Sequence, residues 1–281
     1  MKPAPFAYLR ARSLAEAFDA LDRHGEEARL LAGGQSLIPA LNLRLATPAV
    51  LVDINGLAGL AGIALQGGVV RIGALTRHAA LEASEIVARH LPLLAEAVPQ
   101  IAHPAIRSRG TLGGSIALAD PAAELPACAL ALDATIVAMG RAGERRIAAR
   151  DFFRGLYQTD LQPGELVAAV EFPVQPPERR GCVLELARRQ GDYAIVGLAA
   201  AATVQGDGAL RDPRLVFFGV GPTPVRAAAA EAALAGAGGV AAAQAALERD
   251  LDPPADLHGP PQFRRHLARV LLGRAAARLL G

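Results

Sequence analysis

The chain has 281 residues, 52% of them apolar, and a formal charge of +2. That length holds one large domain or two to three small ones, and because Ala, Gly, Val and Leu supply the apolar fraction in no run near roughly 20 residues, a membrane-spanning helix is not expected. Only Cys128 and Cys182, six scattered His and dispersed arginines are present, which leaves no disulfide framework, four-thiolate site, zinc-ligand spacing or basic nucleic-acid patch.

The first six residues lack a charged-then-apolar signal pattern, so a cytoplasmic location is expected. Ser13-Leu14-Ala15-Glu16 reads as a capping box, and Leu14, Phe18 and Leu21 recur at helical spacing before Gly25, predicting a short amphipathic helix with a glycine stop. Residues 28–31 read as a buried strand, residues 37–45 as helix and residues 49–54 as a second strand. From about residue 57, glycines punctuate short apolar runs such as Val69-Val70-Arg71-Ile72, as in strands joined by tight turns. A helical stretch is predicted over residues 79–98. Residues 125–132 are apolar and short, and residues 135–139 and 166–172 read as strands about a turn rich in Gly and Arg. Pro173, Pro176 and Pro177 cannot continue a central strand and mark a boundary. Beyond it come apolar runs at 194–204 and 215–220, an alanine-rich helix near 227–246, and a last helix. That helix carries Leu267, Leu271, Ala275 and Leu279 on one stripe, with Arg265, Arg269, Arg274 and Arg278 off it. Such a charged face is normally solvated, docking of a partner being the alternative. The chain thus divides into residues 1–56, a small strand-helix-strand module; 57–175, an α+β domain; and 176–281, a small sheet backed by helices.

Two segments carry chemistry: Ala32-Gly33-Gly34-Gln35-Ser36 and Thr111-Leu112-Gly113-Gly114-Ser115. A phosphate needs converging backbone N–H groups, and glycine lets the backbone approach closely through conformations a Cβ forbids. Each pair precedes a short polar side chain and is placed to open a helix whose N-terminus favours anions. A lone Gly-Gly is simply a turn; two in different modules suit the two phosphates of one pyrophosphate. Neither is a Walker A loop or a Rossmann Gly-x-Gly-x-x-Gly, and no nucleophile elbow or paired-carboxylate spacing stands out. The chemistry is therefore assigned to a cofactor.

With Leu31 to Leu37 and His103-Pro104-Ala105-Ile106-Arg107-Ser108-Arg109-Gly110 leading into Thr111, the chain resembles the FAD-binding medium subunit of the molybdenum hydroxylases, the carbon monoxide dehydrogenase and xanthine dehydrogenase group. Further blocks carry the resemblance along essentially the whole chain: Leu51-Val52-Asp53-Ile54, Arg71-Ile72-Gly73-Ala74-Leu75-Thr76, Ala119-Asp120-Pro121-Ala122-Ala123-Glu124, the run from Arg188 to Val196, and Gly221-Pro222-Thr223-Pro224-Val225-Arg226-Ala227. It implies an α+β fold: the two-domain FAD-binding fold of the vanillyl-alcohol oxidase and p-cresol methylhydroxylase type, plus a C-terminal small sheet with helices.

The resemblance also implies site roles. Leu31, Ala32, Gly33, Gly34, Gln35, Ser36 and Leu37, with Thr111, Leu112, Gly113, Gly114 and Ser115, would wrap the FAD pyrophosphate. Glu124 would face the ribityl and ring region, with Tyr193 near the isoalloxazine, gating access to it, and Asp192 before it hydrogen-bonding locally within the cofactor-binding set. Thr76 and Leu166 complete the set, Thr76 being equally suited to cap a helix. The sequence departs from many relatives at Ser108, where they carry Asn, and at Glu185, near which they carry Lys. It lacks the cysteines that a subgroup acting on aromatic acyl-CoA thioesters uses for an extra cluster. The function implied is electron transfer through FAD. A large molybdenum-cofactor subunit and a small subunit with 2Fe-2S clusters are the implied partners, in a dimer of heterotrimers. The alternatives are a free-standing FAD-dependent oxidoreductase and a flavin-free scaffold.

Overall fold

A computed structural model describes residues 2–206 and 209–281, with Met1 of the N-terminal segment outside them. The N-terminal module runs β1 (Ala7–Arg10), α1 (Leu14–His24), β2 (Ala28–Leu31), α2 (Leu37–Asn42) and β3 (Val50–Asp53). Its three strands pair in parallel with β3 central, and α2 lies in the crossover that joins the parallel pair β2 and β3. Ser13 caps α1 by accepting the Glu16 N–H at 3.1 Å, while the Glu16 carboxylate takes the N–H of Arg12, one residue before the cap, at 2.8 Å. Ala17, Phe18 and Ala20 are buried against the sheet; Phe18 alone contributes about 2–3 kcal/mol of burial. The helix expected over 37–45 stops at Asn42, because Arg44 turns the chain with φ +57°. Leu45 is left 79% exposed.

Next come β4 (Ile63–Gln66), β5 (Val69–Gly73), α3 (His78–Glu82), α4 (Glu85–His90), α5 (Pro92–Ala97), α6 (Pro104–Arg107), α7 (Leu112–Leu118), α8 (Glu124–Ala131), β6 (Thr135–Gly140), β7 (Gly143–Ala148), α9 (Ala149–Phe152), the small β8 (Phe153–Gly155) and β9 (Gln158–Thr159) ribbon, and β10 (Leu166–Pro173). The predicted helix over 79–98 is three short ones. Ser84 accepts the Val87 N–H to start α4, and Pro92 takes the first position of α5, where its missing N–H costs nothing. The antiparallel sheet has the order β4-β5-β10-β6-β7. One face, with Val70, Ile72, Ile136 and Phe172, packs on the helices; the other, with Val137, Leu166 and Ala168, packs on Phe18 and Leu57 of the N-terminal side. Because both faces are covered, β10 is a nearly continuous apolar run.

The C-terminal part holds β11 (Arg179–Leu186), β12 (Val196–Val204), β13 (Leu210–Phe218), β14 (Val225–Arg226), α10 (Ala228–Ala235), α11 (Gly239–Asp250) and α12 (Pro261–Leu280). Its antiparallel sheet keeps chain order. Pro213 is tolerated inside β13 because the ladder slips between Ala201 and Thr203, so a bulge absorbs the missing donor. The alanine-rich helix expected over 227–246 is two helices, broken at Gly236, Gly238 and Gly239, the last with φ +57°. The α12 stripe is as read: Leu271, Ala275 and Leu279 are buried. Of the four arginines off that stripe, three pair within the chain, Arg265 with Asp252, Arg269 with Glu248 and Arg278 with Glu96. No helix among the described residues is long and apolar enough to cross a membrane.

Candidate functional site

The two glycine loops meet. β2 and β3 run in parallel, so the segments leaving them, Ala32–Ser36 and Asn55, emerge at the same carboxyl edge, where open parallel sheets bind ligands. The Asn55 side chain donates to the carbonyls of Ala32 at 2.8 Å and Leu31 at 3.3 Å. Its Oδ1 accepts from Arg77 Nη2 at 2.6 Å, and the same guanidinium donates to the Arg109 carbonyl. One arginine thereby ties both loops together. A Cβ on Gly33 would lie 2.4 Å from the Arg109 carbonyl oxygen and 2.9 Å from Gly110 Cα, so this approach requires glycine; Gly34 has φ +73°.

The loops differ in the donors they offer. Among the described residues, no acceptor meets the N–H groups of Gly33, Gly34, Gln35 or Ser36. These residues are half-buried to exposed, and Ser36, at the start of α2, makes no capping bond. Four consecutive backbone donors without partners form a nest for an anion. In the second loop the amides are engaged: Leu112 donates to Thr76 O, Gly113 to Ala74 O, Gly114 to the Thr111 hydroxyl at 3.1 Å, and Ser115 to Thr111 O. Gly113 is glycine because a Cβ there would sit 2.3 Å from the Ala74 Cβ. Convergent backbone donors, expected from both loops, come from the first alone. What the second leaves open is the half-buried Ser115, since Thr111 is buried and its hydroxyl caps α7.

Two expected residues stand apart. The Thr76 hydroxyl donates to Gly62 O at 3.1 Å and accepts the Gly62 N–H at 3.0 Å, so its proton is committed within the chain, and the residue at the N-cap of α3 is Arg77. Leu166 is buried among Phe18, Leu57 and Val137. Leu112 also lies in the core, whereas Leu31 and Leu37 are half-buried beside the first loop. Arg107 pairs with Glu82 at 2.8 Å and donates to Ile101 O, which makes it a structural cation.

A second cluster gathers Asp120, Glu124, Tyr157, Glu185, Asp192 and Tyr193. Glu124 opens α8; burial, with the charges of Glu185 and Asp120 adding, pushes its carboxyl up to about 8. Burial also pushes Glu185, on β11, up to about 7 and leaves its Oε2 without a partner among the described residues. Asp120 accepts the Ala122 N–H at 2.9 Å and lies near the Tyr157 hydroxyl, burial raising its pKa. Tyr193 is 64% exposed; burial of its hydroxyl, then the negative charges of Asp120, Glu124 and Asp192, raise its pKa. Asp192 accepts the Tyr193 N–H and pairs with Arg189. The loop carrying them is seated on the other chain segment: a Cβ on Gly191 would lie 2.6 Å from the His103 ring.

The residues missed by sequence are Asn55, Arg77, Asp120 and Tyr157. Asn55 had a usable signal, a polar residue just past a parallel strand; Arg77 had none, since its partners are 22 and 32 positions away.

Comparison with known proteins bears on this geometry. The family described as FAD binding domain in molybdopterin dehydrogenase matches residues 4–175, and the CO dehydrogenase flavoprotein C-terminal domain matches residues 182–279. The chain is 42% identical to the 6-hydroxypseudooxynicotine dehydrogenase complex subunit alpha of Paenarthrobacter nicotinovorans, covering 100% of this chain and 96% of that one. It is 40% identical to the carbon monoxide dehydrogenase medium chain of Afipia carboxidovorans, covering 99% and 98%. Among solved structures, the carbon monoxide dehydrogenase of Hydrogenophaga pseudoflava that lacks the Mo-pyranopterin moiety superposes with a TM-score of 0.95 at 38% identity, covering 99% of this chain and 98% of that one.

Proposed function

The chain belongs to the family of FAD-binding medium subunits of molybdenum hydroxylases, and on that premise we propose that it passes electrons from a partner's 2Fe-2S clusters through FAD to an external acceptor. It is an oxidoreductase subunit, its cofactor is FAD, and its fold is the two-domain FAD-binding fold with a C-terminal domain. Relatives named as a medium chain or a complex subunit support a multi-subunit assembly. The reading extends to a large molybdenum-cofactor subunit and a small 2Fe-2S subunit in a dimer of heterotrimers in the cytoplasm, with domains at 1–56, 57–175 and 176–281.

The observation that carries the site is the row of free N–H groups from Gly33 to Ser36, braced by Asn55 and Arg77 against Arg109. Those donors would hold the pyrophosphate, with the segment from Thr111 to Ser115 closing on it from the second loop. Glu124, protonated at neutral pH, can donate one hydrogen bond and accept others, which suits the hydroxyls of a ribityl chain. Asp192 and Tyr193 lie on the loop beside it and would flank the ring. FAD, when bound, supplies the chemistry of accepting and releasing electrons. The test is a titration of purified chain with FAD: a yellow protein saturating at about one FAD per chain supports the reading, and a folded chain that takes up no flavin overturns it.

A further inference from the structure

Arg264, on α12, is a buried cation without a buried counter-charge. It is 3% exposed, and its one carboxylate partner among the described residues, Asp256 at 2.5 Å, is partly solvated, with a side chain 41% exposed. Its other partners are backbone. Nη1 donates to the Ile195 carbonyl at 2.6 Å and to the Gly219 carbonyl. Withdrawing a guanidinium from water costs several kcal/mol in the absence of such bonds, and its rigid planar fork fixes the two carbonyls relative to each other.

Those carbonyls stand at two strategic points. Ile195 closes the connection between β11 and β12, its N–H bonding Leu186 O at 2.8 Å, and Tyr193 lies two residues before it. Gly219 follows β13 with φ +74°, and its N–H bonds Pro121 O at 2.7 Å, in the turn that leads from Asp120 to Glu124. A Cβ on Gly219 would lie 2.9 Å from the carbonyls of both Ala194 and Ile195. One guanidinium therefore joins the root of the Tyr193 loop to the peptide that anchors the Glu124 turn.

We propose that Arg264 is a positioning residue of the flavin site, fixing Tyr193 beside the Asp120–Glu124 turn through the carbonyls of Ile195 and Gly219. The proposal rests on the flavin reading above, and its test has one arm that needs flavin and one that does not. In the flavin arm, full-length chain carrying FAD is compared as wild type, Arg264→Met, Arg264→Lys, Tyr193→Leu and the Arg264→Met/Tyr193→Leu double variant, by flavin fluorescence and visible circular dichroism. Arg264→Met is expected to keep the FAD stoichiometry, because the glycine loops are untouched, yet to shift both spectra in the direction of Tyr193→Leu. The double variant should add nothing to Tyr193→Leu, and Arg264→Lys should recover part of the wild-type signal. Wild-type spectra in Arg264→Met, or additive effects in the double variant, overturn the proposal.

In the flavin-free arm, amide hydrogen exchange over residues 187–195 should rise by about tenfold in Arg264→Met, the loss expected for about one charge-assisted bond; unchanged protection refutes the role. If wild-type chain takes up no FAD, the flavin reading fails and the exchange arm alone decides what Arg264 does. Should Arg264→Met not fold, Arg264→Gln retains a donor for one carbonyl with no charge to bury and is put through both arms. If neither neutral variant folds, Arg264 serves stability alone and the proposal falls.

Discussion

Glu124 makes the flavin-free protein sensitive to pH in a direction opposite to that of an ordinary paired carboxylate. Its proton is retained up to about pH 8 in the folded chain, whereas its ordinary value is 4.5. Between those limits the folded state binds more protons than the unfolded state, so stability is highest at the acid end and falls as pH rises through the folded value. The slope approaches about 1.4 kcal/mol per pH unit in the middle of the window, and the whole interval amounts to a ceiling of about 5 kcal/mol. Glu185, raised to about 7, adds a loss of the same sign over the lower part. Glu124→Gln replaces the neutral carboxyl by a neutral amide of the same shape and removes the Glu124 share. Thermal melts of flavin-free wild type and variant from pH 5 to pH 9 read the difference. The two proteins should melt nearly together at pH 5, and at pH 9 the variant should melt higher by on the order of 10 °C, at about 2 °C per kcal/mol for a chain of this size. Parallel curves across the range would refute the assignment of a protonated Glu124.

Gly33→Ala places a methyl 2.4 Å from the Arg109 carbonyl with backbone on both sides, whereas Gly114→Ala meets only the Thr111 hydroxyl, at 2.7 Å. Gly33→Ala should therefore cost about 3 kcal/mol or more and abolish FAD uptake, and Gly114→Ala about 1 kcal/mol, as read by denaturant melts and FAD titration; equal effects would contradict the loop contact. Asn55→Ala, which frees Ala32 and Arg77, should weaken FAD binding by about tenfold to a hundredfold, measured by fluorescence titration. Thr76→Val should lower stability by about 1–3 kcal/mol, through the orphaned Gly62 groups, while leaving FAD affinity unchanged; a loss of affinity at unchanged stability would put Thr76 back at the cofactor.

What could be read in advance was local. The Ser13 cap, the Phe18 face, the β2 strand leading into Gly33 and the α12 stripe each declare themselves within a dozen residues. Others did not, for physical reasons. The stretch after Glu124 is buried on every side, so α8 has no polar face to give it a helical period. The β7 edge strand alternates little because Arg145 and Arg146 turn to Glu165, Asp160 and Glu171, charges typical of an edge. The two glycine loops look alike in sequence, yet only the fold decides which one keeps its N–H groups free, since Ala74 and Thr76 reach the second from nearly 40 positions away. Arg264 shares its helix with arginines of ordinary surface kind, and nothing in its neighbours marks it as the buried one.

The all-round burial of α8 constrains how proteins of this build exchange parts. The helix packs against α5, α7, β12 and β13, and one apolar cluster contains Ala127, Ala129 and Ala131 together with Ala199, Ala201 and Phe218. Small side chains on both surfaces set the helix-to-sheet distance, and close-packed interiors feel a change of even one methylene. A hybrid that joins the first 175 residues of one such chain to the remainder of another inherits two halves of a joint cut to different spacings. Recombination between relatives should therefore succeed where α8, β12 and β13 travel together, whatever becomes of the linker between β10 and β11.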